Sequence, residues 1–174
     1  MTRRDSTRVQ PLKPEPLLGT LIEHEVDFII VGGYAVAAHG HVRATKDIDI
    51  CPEPSEANLV RLAAALEELK AEPIGLEEFA GEFDLRPNAE GLMGGGNWTL
   101  ITRFGRLDVL QHLEGLGADG GGWDNLRTRA VLRNFLGHAC LFCGYEDLVR
   151  MKLAAGRPQD KIDIEDLKAA RSEL

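Results

Sequence analysis

No run of apolar residues in this 174-residue chain reaches the roughly 20 that a membrane-spanning helix needs, so no transmembrane segment and no membrane partner are expected. Basic residues are in the minority, 20 Lys and Arg against 28 Asp and Glu. The resulting net charge of −8 excludes a broad cationic surface for gripping nucleic acid, although a local basic patch remains compatible with it. Cysteine is scarce: three residues, an odd number, give no disulfide framework. The amino-terminal MTRRDSTRVQPLKPEP is basic, but no apolar stretch follows it, so it lacks the form of a secretory signal and reads as a flexible arm over residues 1–15. These absences together suggest a cytoplasmic protein. There is also no GK[ST] phosphate loop, and no G-x-G-x-x-G directly behind a strand, which excludes the common mononucleotide and dinucleotide folds.

What is present suffices for one globular domain over residues 16–174, since 44% of the residues are hydrophobic. Apolar spacing predicts a short helix over 16–24, a buried strand over 26–31, a small alanine-rich helix over 34–39 and a strand over 47–51 that Pro52 and Pro54 end. Ser55 caps an amphipathic helix whose apolar positions are Leu59, Leu62, Ala63, Leu66 and Leu69. Residues 74–95 read as irregular, with room for one short strand. A hairpin is expected around Phe104-Gly105, from 98–102 to 106–111, followed by a glycine-rich loop over 115–124. Short strands at 130–132 and 140–142 precede two helices, 145–155 and 159–172, separated by Gly156 and Pro158. The expected fold class is α/β in the α+β sense: a small mixed sheet flanked by helices, with a helical carboxy terminus.

Chemistry concentrates in Val31-Gly32-Gly33 and, beyond thirteen intervening residues, Asp47-Ile48-Asp49-Ile50. Side chains alternate along a strand, so Asp47 and Asp49 share one face. Two adjacent carboxylates repel unless a cation lies between them, and a divalent metal on a phosphate is the natural candidate. The glycines allow close backbone approach to a phosphate at a helix start. Asp108, in RLDVL, would complete a set of three metal ligands if its strand lies beside 47–51; the alternative is an ion pair with Arg106 or Arg103. Lys152 lies on a largely apolar stripe without a helical partner, so it either snorkels or serves a ligand as a cation for triphosphate oxygens. Arg157 is a second candidate phosphate contact. Asp160 either orients Lys152 or Arg157 or caps the last helix beside Asp163. Arg43 and Thr45 are placed to touch a phosphate, with simple solvation the plainer reading for Arg43. His39 and His41 read as packing or surface residues. Cys140-x-x-Cys143 with His138 resembles half a zinc site whose other half is missing, so buried small hydrophobes are the favoured reading.

The segment IIVGGYAVAAHGHVRATKDIDI resembles the signature of the DNA polymerase β-type nucleotidyltransferase superfamily, an apolar residue, Gly-Gly, a spacer and D-h-D-h. RLDVL is similar to that superfamily's third carboxylate strand. EDLVRMKLAAGRPQDKIDIEDL resembles the carboxy-terminal helices of small bacterial nucleotidyltransferases, the abortive-infection-type toxins and minimal nucleotidyltransferase antitoxins. The resemblance implies a polymerase-β-like core in which Gly32 and Gly33 meet a nucleoside triphosphate. Asp47, Asp49 and Asp108 would bind Mg²⁺ or Mn²⁺, with Asp108 activating the acceptor hydroxyl. Lys152 and Asp160 would match a lysine and aspartate of the toxin branch, towards which Gly33 also leans. The implied activity is transfer of a nucleoside monophosphate to an RNA end or a protein side chain, with a cognate toxin or antitoxin as a partner. Two alternatives stay open: a catalytically silent nucleotide-binding partner, and a small-molecule (aminoglycoside-type) nucleotidyltransferase. Chain length argues against the latter, because such enzymes usually carry a larger helical domain.

Overall fold

Four consecutive apolar residues with no alternation are the mark of a strand buried on both faces, and β1 (Phe28–Val31) occupies the inside of the sheet in this way. The computed structural model describes residues 10–76, 84–117 and 122–173. Before β1, α1 (Pro14–Glu23) buries Leu17, Leu18 and Leu21 along one face. After it, α2 (Gly32–Ala38) begins on the first glycine, so both glycines belong to its first turn. The strand β2 (Asp47–Pro52) buries Ile48 and Ile50 completely. The Ser55 side chain then accepts the Asn58 backbone N–H and starts α3 (Glu56–Glu68), whose Leu59, Leu62, Ala65 and Leu66 pack into the core.

The remaining elements are β3 (Glu72–Pro73), α4 (Ala89–Met93), β4 (Asn97–Thr102), β5 (Gly105–Leu110), α5 (Trp123–Arg129), β6 (Val131–Phe135), β7 (His138–Phe142), α6 (Tyr145–Ala155) and α7 (Pro158–Ser172). The seven strands form one mixed sheet in the order β3-β4-β5-β2-β1-β7-β6. β1 runs antiparallel to β2 and parallel to β7, while β2 runs parallel to β5. Ile48, Ile50, Leu107 and Val109 are fully buried, and strand alternation turns their neighbours Asp47, Asp49 and Asp108 to the opposite face.

The architecture is the mixed α/β sheet with a helical carboxy terminus that the sequence predicts, and the hairpin at Phe104-Gly105 forms as β4–β5. Three local differences have physical causes. Within 74–95, expected to be irregular, Asn88 accepts the Gly91 N–H at 2.9 Å and starts the single turn and a half of α4. α5 begins inside the stretch expected to be loop; Leu126 is its one buried residue, so no apolar period announces it. The helix α1 starts at Pro14, and Lys13 donates its N–H to the Phe104 carbonyl at 2.8 Å, so residues 13–15 are tied to the domain rather than free. Gly105, at φ +109°, has no room for a Cβ against Leu12. The rest of the expected arm, residues 1–9, lies outside the described residues, as do 77–83 and 118–121 of the segments read as irregular or loop.

Cys51, Cys140 and Cys143 are buried free thiols. Among the described residues no helix is long and apolar enough to cross a membrane. One buried polar side chain fastens the site-bearing strands to α3: Asn58 accepts the Asp27 N–H at 2.8 Å and donates to the Asp27 and Glu53 carbonyls at 2.9 and 2.8 Å. Asn58→Ala removes all three bonds of a fully buried side chain and is expected to cost about 1 to 3 kcal/mol, seen as a lower urea midpoint with an unchanged m-value.

Candidate active site

The parallel register of β2 and β5 sets Asp49 directly beside Asp108 and Asp47 beside Arg106. One carboxylate oxygen each from Asp47, Asp49 and Asp108 lies within 4.8 Å of the other two. This is the only cluster of three or more His, Cys, Asp or Glu side chains with metal-ligand spacing among the described residues, so His138, Cys140 and Cys143 form no zinc site. The antiparallel register of β1 brings Val31 opposite Asp49, and the chain turns away at Gly32 directly above it. Gly32 adopts φ +66°, a region that other residues enter at a cost, and a Cβ there would overlap the Asp49 carboxylate. Gly33 is packed against the Thr45 side chain instead, and neither residue lines the cavity over the carboxylates.

Arg106 is the nearest cation. Its Nε and Nη2 donate to the two Asp108 oxygens, both at 3.2 Å, and Nε lies 3.7 Å from Asp47. The two sequence readings of Asp108, member of an acidic trio and ion-pair partner of Arg106, therefore hold together. One guanidinium does not balance three carboxylates. Burial, then the neighbouring charges of Asp47 and Asp108, push the Asp49 carboxyl up to about 7. Oxygen-only donors with an uncompensated negative charge fit a hard divalent cation better than any other common ligand.

Across a cavity of about 420 Å³ lies a second charged assembly. Lys152 is only 5% exposed and is not the partnerless cation expected from its helical neighbours. Its ammonium donates to Asp160 at 3.0 Å and Asp163 at 2.8 Å, both from α7, which α6 alone could not reveal. Asp160 also receives the Arg157 guanidinium at 2.7 Å and the Arg157 N–H at 3.1 Å, so it orients Lys152 and Arg157 and caps α7 at once. Arg43 is not simply solvated: its fork grips Asp163 at 2.7 and 2.9 Å. Gln159 adds a bond to Asp163 at 3.0 Å. Three cations against two carboxylates leave one positive charge in excess, with Lys152, Arg157 and Asp160 facing the cavity. The His39 Nε2 meets the Cys143 carbonyl at 2.8 Å, whereas His41 pairs with Asp166 at 3.0 Å.

Sequence reasoning missed Asp163 and Arg43 as members of this network, and Asn97, Leu110, His112 and Met151 as cavity walls. The Asp160/Asp163 spacing of one helical turn was the available signal for the first. A second groove of about 550 Å³, between α3 and residues 86–89, shares no residue with the carboxylate cavity.

No protein-family model matches the sequence, and no curated protein matches it significantly. The fold, in contrast, is shared with solved nucleotidyltransferases. The lincosamide antibiotic adenylyltransferase LnuA, bound to lincomycin, superposes with a TM-score of 0.58 at 17% identity, over 92% of this chain and 99% of that one. The antibiotic-resistance factor ANT(2'')-Ia follows at 0.50 and 16% identity, over 98% and 86% of the two chains. The Thermotoga maritima protein TM1012 matches at 0.50 and 17% identity, over 97% and 99%. The fold is thus that of the nucleotidyltransferases.

The buried network predicts an acid-labile link between α6, α7 and the segment before β2. Burial alone would raise the Asp163 carboxyl, but hydrogen bonds from Arg43, Lys152 and Gln159 outweigh it and hold it at about 2, against an ordinary 3.8. The unfolded chain then takes up this proton first, so the stabilisation is complete above 3.8 and fades as pH falls towards 2. Thermal melting between pH 6 and pH 2.5 is expected to fall more steeply for the parent protein than for Asp163→Asn, which starts lower and has lost this titration; parallel curves would contradict the assignment.

Proposed function

We propose that the chain is a metal-dependent nucleotidyltransferase that moves a nucleoside monophosphate from a nucleoside triphosphate to a hydroxyl acceptor. The observation that carries this reading is the convergence of Asp47, Asp49 and Asp108 within 4.8 Å of one another beneath the Gly32 turn, on a nucleotidyltransferase fold. The comparison of folds supports the reaction class, and the charge of the cavity supports the substrate: carboxylates on one wall, Lys152 and Arg157 on the other.

Asp47, Asp49 and Asp108 would hold Mg²⁺ or Mn²⁺, which supplies charge neutralisation for the phosphates and a lowered pKa for the attacking hydroxyl. The Gly32 backbone lets the triphosphate approach the carboxylates without a side chain in the way. Lys152, fixed by Asp160 and Asp163, and the more exposed Arg157 offer positive charge to the β- and γ-phosphates, with little reorganisation because the lysine is already locked. Asp108 receives the acceptor proton. The acceptor oxygen forms its bond to the α-phosphorus as the bond from that phosphorus to the bridging oxygen breaks, and pyrophosphate leaves with the electron pair.

The acceptor reading favoured here is a small hydroxylated molecule. The length argument against it fails, because LnuA, whose structure holds lincomycin, is spanned over 99% of its length by this chain. A large additional helical domain is therefore no requirement for such an acceptor. An RNA end, a protein side chain and a role beside a cognate toxin or antitoxin follow only from the sequence resemblance and stand as the second reading.

Incubation with each of the four labelled triphosphates, Mg²⁺ or Mn²⁺ and panels of hydroxylated small molecules, RNA and cell extract tests the proposal. Label is expected to move to a hydroxyl with release of pyrophosphate. Asp47→Asn and Asp49→Asn, checked for folding by circular dichroism, are expected to lower the rate by a factor on the order of 10³. Undiminished transfer in both variants argues against the site, and calorimetric triphosphate binding without any turnover supports a silent nucleotide-binding protein instead.

A further inference from the structure

Arg106 sits inside the acidic cluster rather than beside the substrate cavity. It pairs with two of the three carboxylates through an unusually direct arrangement: Asp47 is its neighbour across the β2–β5 ladder and Asp108 is two residues along its own strand, so all three side chains project from one face. Both Asp108 oxygens accept from it, at 3.2 Å each, and Asp47 Oδ2 lies at 3.7 Å. A cation bound by the trio would need an oxygen from each of these same carboxylates. A fork that occupies both oxygens of Asp108 therefore competes with that ion for its donors. The side chain of Arg106 is 43% exposed, whereas Asp108 is 13% exposed, so the long arginine is free to swing outward and the carboxylate is not.

We propose that Arg106 is a built-in counter-ion of the acidic trio, one that bridges Asp47 and Asp108 before a divalent cation arrives and yields its place when the cation binds. The inference rests on the reading of Asp47, Asp49 and Asp108 as metal ligands. Two consequences follow. In the free protein Arg106 relieves repulsion that otherwise opposes the register of β2 against β5. In the metal-bound protein the same charge opposes the ion, so the cluster binds metal less tightly than three bare carboxylates would. Arg106 is a positioning residue in this scheme and touches no substrate.

Mn²⁺ binding to the full chain, followed by the electron paramagnetic resonance of free Mn²⁺, separates the possibilities without recourse to activity. Arg106→Gln is expected to bind Mn²⁺ roughly three- to tenfold more tightly than the parent protein, the size of a like charge removed at close range in a partly solvated site. Arg106→Lys retains the charge but not the fork, and is expected to bind Mn²⁺ with an affinity between those of the parent and Arg106→Gln. Melting temperatures give an independent readout. Without divalent ions Arg106→Gln melts below the parent, and saturating Mn²⁺ closes or reverses that gap, which a merely structural arginine would not do. Equal or weaker Mn²⁺ binding by Arg106→Gln, a lysine variant as tight as the glutamine one, or a melting deficit unchanged by Mn²⁺ each overturns the counter-ion role while leaving the metal site intact. Failure of parent and variants alike to bind Mn²⁺ overturns both.

Discussion

Mutual repulsion of Asp47, Asp49 and Asp108 is the constraint around which the rest of the molecule is arranged. Three carboxylates within 4.8 Å of one another are unfavourable in a partly buried setting, and burial first, then the charges of Asp47 and Asp108, raise the Asp49 carboxyl to about 7. The sheet can impose it because the opposite face of the same strands is strongly favourable. Ile48, Ile50, Leu107 and Val109 are fully buried there, and a shift of register by one residue would exchange the buried isoleucines for the aspartates. Hydrophobic burial on one face thus maintains electrostatic strain on the other.

The second charged assembly answers the first. Lys152, Arg43 and Arg157 are divided between Asp160 and Asp163, each of which is almost wholly buried and serves more than one partner. Such a network makes a modest net contribution to stability because desolvation offsets much of the attraction. Its consequence is geometric. It joins α6, α7 and the segment between α2 and β2 into one rigid wall, and it fixes an ammonium group at the edge of the cavity opposite the carboxylates. The two walls carry opposite charge, so an elongated anion bridged by a cation is the ligand whose charge pattern matches both. A nucleoside triphosphate has that pattern.

Comparison of folds extends the argument in one direction and restricts it in another. Coverage of 99% of LnuA by this chain, at a TM-score of 0.58, shows that the two share one fold along nearly their whole length. At 17% identity the likeness speaks of the fold and not of the acceptor.

Much of this was legible in the residues because the signals were local. Alternation in DIDI and RLDVL dictated which side chains share a face, the glycine pair marked a close backbone approach, and the leucine spacing behind Ser55 defined α3. Where the local signal was weak the reading failed: α4 and α5 bury one leucine each and leave no period to detect. The partners of charged groups were legible only in part: Arg106 was readable as a partner of Asp108, and Asp160 as a partner of Lys152 or Arg157. Asp163 was not visible as a partner of Lys152 because it lies on another helix, Arg43 looked solvated because Asp163 is 120 residues away, and Arg106 gave no hint that it reaches Asp47 across the ladder. Sequence by itself determined the faces, the turns and the candidate carboxylates, since backbone period and residue chemistry are properties of neighbours in the chain. Only the tertiary structure decided which charges meet, because the parallel pairing of β2 with β5 and the docking of α7 on α6 are set by core packing between segments far apart in sequence.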